Sequence, residues 1–379
     1  MVDFFFYGTL CHLPLLTRVL GRTVDATPAT LPDHAVYWAK DHAFPLIVAE
    51  AGKTAHGLLV RGMTEADVAR LDFYEGGFAY HTRDLPVQAG GAAVTARVYF
   101  ADPGHWETGA PWSLADWAAV WGDVVTETAA DFMALYGRAA PESVLARYRL
   151  MLVRGASRVR ARQTAPTTLR HRAGPRDTEV LDVTTPYARF FAVEEYRLRH
   201  RRFDGQTSPD ISRAVFISGD AATVLPYDPV RDRVLLIEQF RPAPLARGDA
   251  QPWLLEAIAG RVDPDETPED AVRREAIEEA GLTLGTLHPV ASYYPSPGAK
   301  AEYLYSYVAI CDLPDGIAGL HGAASEDEDI RGHLVPFDHL VELAGSGEIN
   351  NAPLLLTVFW LQRERERLRQ GVAGAGAGA

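Results

Sequence analysis

The sequence predicts an α+β protein with two domains, and three observations support this fold class. The chain has 379 residues, whereas a single domain usually holds about 100–200. Residues 1–105 contain short apolar segments separated by Gly, Pro and Asp, which indicates strands. Residues 113–160 space their apolar side chains as helices do, and strand-like segments return from about residue 179.

The first domain is predicted to combine strands with a helical extension. Its strand-like segments read DFFFYGTL, AFPLIVAE, AHGLLVRG and ARVYF. The segments LADWAAVWGDVVTETAADFMALYG and ESVLARYRLMLVRG follow, with the apolar spacing of amphipathic helices. We therefore assign residues 1–154 to this domain and its helical extension.

A basic linker is predicted at residues 155–179, before a second domain at residues 180–370. Six arginines and no acidic residue lie between positions 154 and 172, and the segment APTTLRHRAGPRD is rich in turn-forming residues. Such a segment could bind nucleic acid, but the favoured interpretation is an interdomain helix and hinge that pairs with acidic surfaces. The segment GVAGAGAGA, at residues 371–379, is predicted to be disordered.

Net charge and cysteine content narrow the class of protein. The formal net charge of −13 disfavours non-specific binding to nucleic acid or to an anionic membrane, so a phosphate-bearing ligand needs local cations or a metal. Cys11 and Cys311 lie far apart in the chain, and the N-terminus has no signal-like apolar segment. No apolar run reaches the roughly 18 residues of a membrane span. These features predict a soluble cytoplasmic protein.

The segment GRVDPDETPEDAVRREAIEEAG, at residues 260–281, predicts a helix from about Pro268 to Ala280. Thr267 suits the N-cap and Pro268 the first helical position. Gly281 suits the left-handed residue that follows the end of a helix. Local signals therefore define both ends of this helix.

Three glutamates, Glu275, Glu278 and Glu279, share one face of the predicted helix. At about 100° per residue they fall within an arc roughly 100° wide, beside an apolar stripe. Like charges three or four residues apart destabilise a helix, so the cluster needs a compensating cation. Carboxylate oxygens suit Mg²⁺ or Mn²⁺, whereas a solvated acidic face is the alternative interpretation.

The spacing within this segment resembles the box of the Nudix family. The residues that carry the resemblance are Gly260, Glu266, Arg274, Glu275, Glu278, Glu279 and Gly281. The segments WLLEAIAG before the box, SPG after it and SEDEDIR further on resemble the ADP-ribose pyrophosphatase branch. The resemblance implies an α/β/α sandwich in which the box forms a loop, a helix and a second loop that carry a divalent metal.

The same resemblance implies a role for individual residues. The implied metal ligands are the carbonyl group of Ala259 and the side chains of Glu275, Glu278 and Glu279. Glu266 is implied to orient the helix and Arg274. An arginine within the helix is a reasonable group to hold ligand carboxylates in place.

The implied reaction is attack on a pyrophosphate by a metal-activated water. Glu328 is implied as the catalytic base, and Glu326 in the same acidic loop is the alternative. Arg241 is implied to contact a substrate phosphate, although a salt bridge at a strand end is an equal alternative. Glu302 is implied to contact the substrate.

A homodimer through the second domain is also expected, because the resembling branch forms one. Strand material from about Val180 to Phe203 would pack against the site of the other subunit. Phe190 and Phe191 would stack on adenine or pack in the core.

The first domain resembles the γ-glutamylcyclotransferase-like (AIG2-like) family in FFYGTL, HGLLVRG and LDFYEGGFAYHTRDLPV. This resemblance implies a small β-barrel with a few helices. It implies Glu75 as the acid–base residue of a cyclisation to 5-oxoproline, although an exposed turn glutamate is the alternative. The residues implied to line the pocket for a γ-glutamyl group are Tyr7, Gly8, Thr9 and Leu10.

Together these features predict a Mg²⁺-dependent enzyme, with Mn²⁺ as a possible substitute, that converts ADP-ribose to AMP and ribose 5-phosphate. Hydrolysis of another nucleoside diphosphate sugar, such as ADP-glucose or GDP-mannose, is the nearest alternative. A non-catalytic sensor of ADP-ribose is an alternative of another class. Proteins with this domain order resemble those labelled tellurite-resistance-associated Nudix hydrolases, but no residue here indicates tellurium chemistry.

Overall fold

The computed structural model describes residues 1–163, 165–322 and 328–376, with side chains described up to residue 371. The chain divides into two compact units, Met1–Arg172 and Ala173–Ala379. The boundary between them falls inside the predicted linker. No helix in the described ranges is long and apolar enough to cross a membrane.

The first unit contains a small closed barrel, as its family resemblance implies. Its strands are β1 (Val2–Phe6), β2 (Ala26–Ala39), β3 (Pro45–Met63), β4 (Tyr80–Ala89), β5 (Ala92–Ala101) and β6 (Thr108–Pro111). They pair in the order β3-β1-β5-β4-β2, and β2 pairs back to β3 to close the barrel. Because side chains alternate along β1, Phe5 packs inside the barrel whereas Phe4 and Phe6 pack against the helices.

Helices cover one side of this barrel. They are α1 (Leu13–Leu20), α2 (Glu65–Gly76), α3 (Leu114–Trp117), α4 (Asp123–Met133), α5 (Pro141–Leu145) and α6 (Tyr148–Arg160), with a 3₁₀ turn at Thr9–Cys11 and a π-helical turn at Ala118–Gly122. Buried side chains from α4, α5 and α6 share a core with α1 and α2. The predicted helical extension is therefore part of the first unit's core.

Helix α6 continues to Arg160, past residue 155 where the basic linker was predicted to begin. Gly155 lies where α6 crosses α4, and a Cβ atom there would lie 2.6 Å from Oγ1 of Thr128. Arg158 of the same helix binds Asp131 of α4, with 2.7 Å between Nη1 and Oδ1. Arg158 therefore pairs with an acidic side chain of its own unit, in line with the favoured interpretation of the basic segment.

The second unit contains two sheets. Its strands are β7 (Thr178–Ala188), β8 (Ala192–His200), β9 (Ile211–Ile217), β10 (Ala221–Asp228), β11 (Arg233–Phe240), β12 (Trp253–Glu256), β13 (Ile258–Arg261), β14 (Leu287–Tyr293), β15 (Lys300–Ala301), β16 (Leu304–Ile310), β17 (Leu320–His321) and β18 (Ile330–Pro336). The larger sheet has the order β14-β16-β10-β11-β18-β17, with β12 on β11 and β13 on β10. The smaller sheet has the order β15-β9-β8-β7.

The larger sheet lies between two helical layers, which confirms the predicted α/β/α sandwich. The helices of this unit are α7 (Pro242–Arg247), α8 (Pro268–Ala280), α9 (Phe337–Ser346) and α10 (Ala352–Gly376). Leu235 and Ile237 of β11 pack in the core with α8, whereas Val234 and Leu236 pack in the core with α9 and α10. This alternation is what burial of both faces of a sheet requires.

The predicted disordered tail at residues 371–379 needs a correction, because α10 continues to Gly376. Alanine, the best helix former, alternates here with glycine, which is a poor helix former, so local propensity does not explain the continuation of the helix. Residues 377–379 lie outside the described ranges.

Candidate functional site

Helix α8 has the ends that its sequence predicts. Oγ1 of Thr267 accepts a hydrogen bond from the backbone N–H of Asp270 at 3.1 Å, and the Asp270 carboxylate accepts from the backbone N–H of Thr267 at 3.4 Å. This reciprocal pair forms a capping box. Gly281 follows the helix with a φ of 60°, in the left-handed region. The capped ends hold the glutamate-bearing turns at a defined place against the sheet.

The three glutamates of this helix differ in burial. Glu279 is only 2% exposed, whereas the side chains of Glu275 and Glu278 are 14% and 43% exposed. Oε2 of Glu279 accepts a hydrogen bond from the backbone N–H of Ala259 in β13 at 3.1 Å. The helix therefore presents two buried carboxyl groups and one half-exposed carboxyl group beside the end of a strand.

Gly260 explains how the helix approaches this strand so closely. A Cβ atom at position 260 would lie 1.7 Å from Oε1 of Glu275 and 2.0 Å from its Cδ atom. No side chain is compatible with that separation. Glycine at this position is therefore required for the carboxyl group of Glu275 to lie against the backbone of β13.

Burial makes the two inner carboxyl groups reluctant to ionise. It raises the pKa of Glu275 to about 7 and the pKa of Glu279 to about 8. Burial is the largest cause of these shifts, and the neighbouring negative charge of Glu328 acts in the same direction at both groups. A cation placed among these groups would reverse the shifts, because an opposite charge favours the ionised form.

Arg274 is the cation that the structure places beside Glu266, Glu275 and Glu278. Its guanidinium binds both oxygens of Glu266, with Nε to Oε1 at 2.7 Å and Nη2 to Oε2 at 3.0 Å. Its Nη1 atom lies 2.7 Å from Oε1 of Glu275 and 3.1 Å from Oε2 of Glu278. Glu266 therefore holds Arg274 in place, and Arg274 in turn orients Glu275 and Glu278.

The donor atoms of this site suit a hard divalent ion. In the described ranges no three His, Cys, Asp or Glu side chains converge tightly enough to form a preformed metal cage. The reason is visible in the geometry, since Arg274 binds the oxygens of Glu275 and Glu278 that would otherwise face an ion. Glu279 is buried, and its carboxyl group accepts a hydrogen bond from the backbone N–H of Ala259. A negative charge on this buried group would need a cation nearby. Glutamate oxygens at this density fit Mg²⁺ or Mn²⁺.

Two residues from other segments reach the same site. Glu328 lies close enough to raise the pKa of Glu279, and the positive charge of Arg241 lowers it. Nε of Arg241 also donates to Oε2 of Glu256 at 2.8 Å, so the salt bridge at a strand end is present. Glu302 instead pairs with Lys300, with 2.5 Å between Oε2 and Nζ. Glu326 lies outside the described residues.

The first unit has a cavity of its own, with a volume of about 320 Å³. The predicted pocket residues Tyr7, Gly8, Thr9 and Leu10 all line it, together with Glu75. Glu75 lies on the last turn of α2 and is half-buried, so it is not an exposed turn glutamate. The structure therefore brings together the residues that the family resemblance selected.

Glu75 stands among aromatic hydroxyl groups. Burial raises its pKa to about 7. Within the described part of the chain, no side chain forms a hydrogen bond or ion pair with its carboxyl group. Burial also raises the pKa of the surrounding tyrosines, and the charge of Glu75 adds to the effect at Tyr7, Tyr74, Tyr80, Tyr99 and Tyr148. A carboxyl group with a pKa near neutrality is suited to accept and return a proton.

Comparison with known proteins shows which families the two parts of the chain resemble. A family model described as "Gamma-glutamyl cyclotransferase, AIG2-like" matches residues 4–119, and a model described as "NUDIX domain" matches residues 218–357. The ADP-ribose pyrophosphatase of Escherichia coli (strain K12) is 42% identical over 196 residues, which cover 52% of this chain and 93% of that protein. The chain belongs to the Nudix hydrolase family.

Two further relatives cover the same half of the chain. The ADP-ribose pyrophosphatase of Haemophilus influenzae is 35% identical over 196 residues, which cover 51% of this chain and 90% of that protein. The GDP-mannose pyrophosphatase of Salmonella arizonae is 36% identical over 149 residues, which cover 39% of this chain and 76% of that protein. This Nudix hydrolase therefore resembles enzymes named for two different nucleoside diphosphate sugars.

Sequence reasoning missed Glu256 at the Nudix site. This residue ends β12 and binds Arg241, and burial raises the pKa of its carboxyl group while Arg241 lowers it. The sequence could have indicated Glu256, because this residue lies inside the WLLEAIAG segment directly before the box. A buried acid paired with Arg241 positions that arginine beside Glu279.

Sequence reasoning also missed the helical side of the first unit's cavity. Side chains of the extension line it, namely Val125, Leu145, Tyr148 and Leu152. These residues follow the part of the chain that matches the AIG2-like model, which ends at residue 119. The helical pattern predicted the helices but carried no signal that they border the cavity.

Proposed function

We propose that the Nudix unit hydrolyses the pyrophosphate bond of ADP-ribose to AMP and ribose 5-phosphate, with Mg²⁺ or Mn²⁺ bound. The observation that carries the proposal is the pair of buried carboxyl groups, Glu275 and Glu279, held against the backbone of Ala259 and Gly260. Two ADP-ribose pyrophosphatases among the relatives support the choice of substrate.

The proposed metal ligands are Glu275, Glu278, Glu279 and the carbonyl oxygen of Ala259. A divalent ion held by them would lower the pKa of a bound water and offset negative charge on the pyrophosphate. Arg274, fixed by Glu266, would keep Glu275 and Glu278 oriented when an ion takes over their oxygens.

Three residues are proposed to act on the substrate and the water. Glu328 accepts the proton of the attacking water, and the proximity of its charge to Glu275 and Glu279 supports this role. Arg241 binds a phosphate oxygen with guanidinium N–H groups that its bond to Glu256 leaves available. Glu302 is proposed to contact the substrate.

GDP-mannose is the second candidate substrate, because one relative at 36% identity is a GDP-mannose pyrophosphatase. The deciding experiment is a panel of ADP-ribose, ADP-glucose and GDP-mannose, each with and without Mg²⁺. Phosphomonoester products are converted to inorganic phosphate and measured. The proposal expects ADP-ribose to give the highest kcat/KM. Turnover of GDP-mannose alone would replace the substrate, and binding of ADP-ribose without turnover would favour a sensor.

We further propose that the Nudix unit forms a cytoplasmic homodimer. The segment from Val180 to Phe203 exposes apolar side chains, with Val180 56% exposed and Phe190 67% exposed. The guanidinium carbon of Arg261 lies 4.2 Å from the ring centroid of Phe190, so this ring stands near the box strand. A monomeric mass at micromolar concentration with full activity would contradict a dimer with shared sites.

For the first unit we propose cyclisation of γ-glutamyl compounds to 5-oxoproline. The half-buried Glu75, facing a cavity with the loop Tyr7–Leu10, carries this proposal. Glu75 would take a proton from the α-amino group and return it to the leaving amine. The test is formation of 5-oxoproline by the full chain from a γ-glutamyl amide, with Glu75→Gln as the inactive control.

A further inference from the structure

The proposed base and the proposed metal ligands come from different segments of the second unit. The glutamates of the box lie on α8, whereas Glu328 lies between β17 and β18. A general base must lie within hydrogen-bond reach of the proton that it accepts. The contacts that set the position of Glu328 relative to α8 therefore bear directly on the proposed reaction.

Strand β18 holds the chain just after Glu328. Ile330, two residues further on, is fully buried in the core that β10, β11 and α8 share. It pairs with Gln239 of β11 and with His321 of β17. These contacts fix where β18 begins and so hold the C-terminal side of Glu328.

Gly322 closely approaches the backbone of Glu328. Its φ is 113°, a conformation that favours glycine, and it directly follows β17. A Cβ atom at position 322 would lie 2.7 Å from the carbonyl oxygen of Glu328 and 2.9 Å from its Cβ atom. Rotation of the Glu328 side chain would relieve neither overlap, because both atoms are fixed by the backbone. A side chain at position 322 would therefore displace Glu328.

Strand β17 connects this close approach to the end of α8. His321 precedes Gly322, and its imidazole lies beside Gly281, the residue that follows α8. A Cβ atom at position 281 would lie 3.8 Å from Cε1 of His321, an ordinary van der Waals separation. Two consecutive residues of the chain therefore lie beside the end of the metal-site helix and the backbone of Glu328.

We propose that Gly322 is a positioning residue for the Nudix reaction, because its lack of a side chain lets the backbone of Glu328 lie against the end of β17 and fixes its carboxylate relative to α8. The inference rests on the proposed role of Glu328 as the base. The influence of the Glu328 charge on Glu275 and Glu279 agrees with this placement. A misplacement of about 1 Å can cost a factor of about 10² in rate, so a displaced base has a measurable effect.

The variant Gly322→Ala tests this role. We expect kcat for ADP-ribose to fall at least about tenfold, whereas KM and the Mg²⁺ concentration that gives half the maximal rate should stay within about twofold. The effects separate because Glu328 is proposed to accept a proton and not to bind the metal. Gly316→Ala is the matched control, since Gly316 has a φ of 89° and a Cβ atom there meets nothing within 4 Å. We expect this control to keep wild-type activity.

Thermal melting establishes whether each variant is folded. Gly322→Asn is a second variant, since asparagine tolerates a positive φ better than alanine and introduces the same Cβ atom with less strain. We expect it to show the same loss of kcat. Loss of folding in both Gly322 variants, with Gly316→Ala folded, would show that the glycine serves the fold alone and would overturn the inference.

The closing experiment combines Gly322→Ala with Glu328→Gln. If Gly322 acts through Glu328, we expect kcat of the double variant to lie within about twofold of Glu328→Gln alone. Losses that multiply, or wild-type kcat in Gly322→Ala, would overturn the inference and leave the hydrolase function standing. Wild-type kcat in Glu328→Gln would overturn the assignment of the base and this inference with it. A wild type that does not hydrolyse ADP-ribose would overturn the proposed function as well.

Discussion

At the scale of single residues, the three box glutamates have unequal surroundings. Glu279 is enclosed and its carboxyl group is held by a backbone N–H, whereas Glu278 is half-exposed and touches only the edge of Arg274. Removal of a charge from an enclosed carboxyl group leaves no water to compensate, so we expect Glu279 to contribute most to holding the proposed ion. Glu278 is expected to contribute less, because solvent screens its charge.

Glu328→Gln tests the proposed base. We expect kcat for ADP-ribose to fall by a factor of about 10²–10⁴, because a positioned general base contributes that much. Affinity for Mg²⁺, measured by calorimetry, should change little. Asp265→Asn is a suitable control, since Asp265 is exposed in the loop before α8. A larger drop in Glu326→Gln would assign the base to the other acid.

Glu75→Gln tests the protonation state of the first unit's acid. Folding raises the pKa of Glu75 from 4.5 to about 7, so the folded chain holds this proton more tightly than the unfolded chain. Stability linked to Glu75 is therefore present below pH 4.5 and is lost as pH rises through about 7.

The Glu75→Gln variant has no carboxyl group at this position, so it does not lose this stability as the pH rises. We expect its melting temperature to exceed that of the wild type by about 3 °C or more at pH 8, with the difference shrinking toward pH 5. Glu65→Gln, an exposed change at the start of the same helix, should show no such trend. A difference between Glu75→Gln and wild type that is constant from pH 5 to 8 would contradict the raised pKa.

At the scale of elements, the Nudix site depends on the close approach of α8 and β13. Gly260→Ala would place a methyl group on the carboxyl group of Glu275. We expect at least a tenfold loss of kcat/KM for ADP-ribose and weaker Mg²⁺ binding, because a small displacement of a ligand costs about that much. The assay is AMP formation across a Mg²⁺ titration.

Gly345→Ala provides the matched control for this glycine. Gly345 lies in α9, and a Cβ atom there meets nothing within 4 Å. Alanine in a helix interior is tolerated or stabilising, so activity should remain at the wild-type level. Wild-type activity in Gly260→Ala as well would show that the helix and strand need not approach so closely.

Local chemistry explains which elements could be predicted. The ends of α8 follow from Thr267, Pro268 and Gly281, whose effects act within one turn, and the structure places both ends as predicted. The end of α6 could not be predicted in this way. Gly155 is a poor helix former, but its lack of a side chain allows α6 to cross α4 closely, which is a tertiary effect.

The sites show the same division between local pattern and tertiary contact. The contact between Glu266 and Arg274 was expected from the box, and both hydrogen bonds are present. Leu145, Tyr148 and Leu152 were not expected at the first unit's cavity, because α5 and α6 are brought to it by packing. Helical periodicity identifies an apolar face but not the surface that the face covers.

At the scale of the whole molecule, the two units carry separate sets of proposed catalytic residues. Glu75 belongs to the first unit, and the glutamates of α8 belong to the second. Coupling between them would require a state that both ligands favour. We expect Glu75→Ala in the full chain to leave ADP-ribose hydrolysis within about twofold of wild type, a change of less than about 0.5 kcal/mol in the barrier.

The controls for this prediction are the oligomeric state and the melting temperature, which should be the same in the wild type and in Glu75→Ala under the assay conditions. A tenfold loss of ADP-ribose hydrolysis in Glu75→Ala, with both unchanged, would show that the first unit regulates the second. Regulation of that kind would favour the sensor interpretation over two independent enzymes.

We propose above all that the buried glutamates of α8 hold a divalent ion that activates water for the hydrolysis of ADP-ribose. The most direct measurement is the rate of AMP formation from ADP-ribose by the wild type and by Glu279→Gln across a Mg²⁺ titration. We predict AMP and ribose 5-phosphate in equal amounts from the wild type, and loss of at least 99% of that rate, about 2.7 kcal/mol in barrier height, in the variant. A wild type that forms no AMP at saturating Mg²⁺, or a Glu279→Gln variant that retains the wild-type rate, would contradict the account.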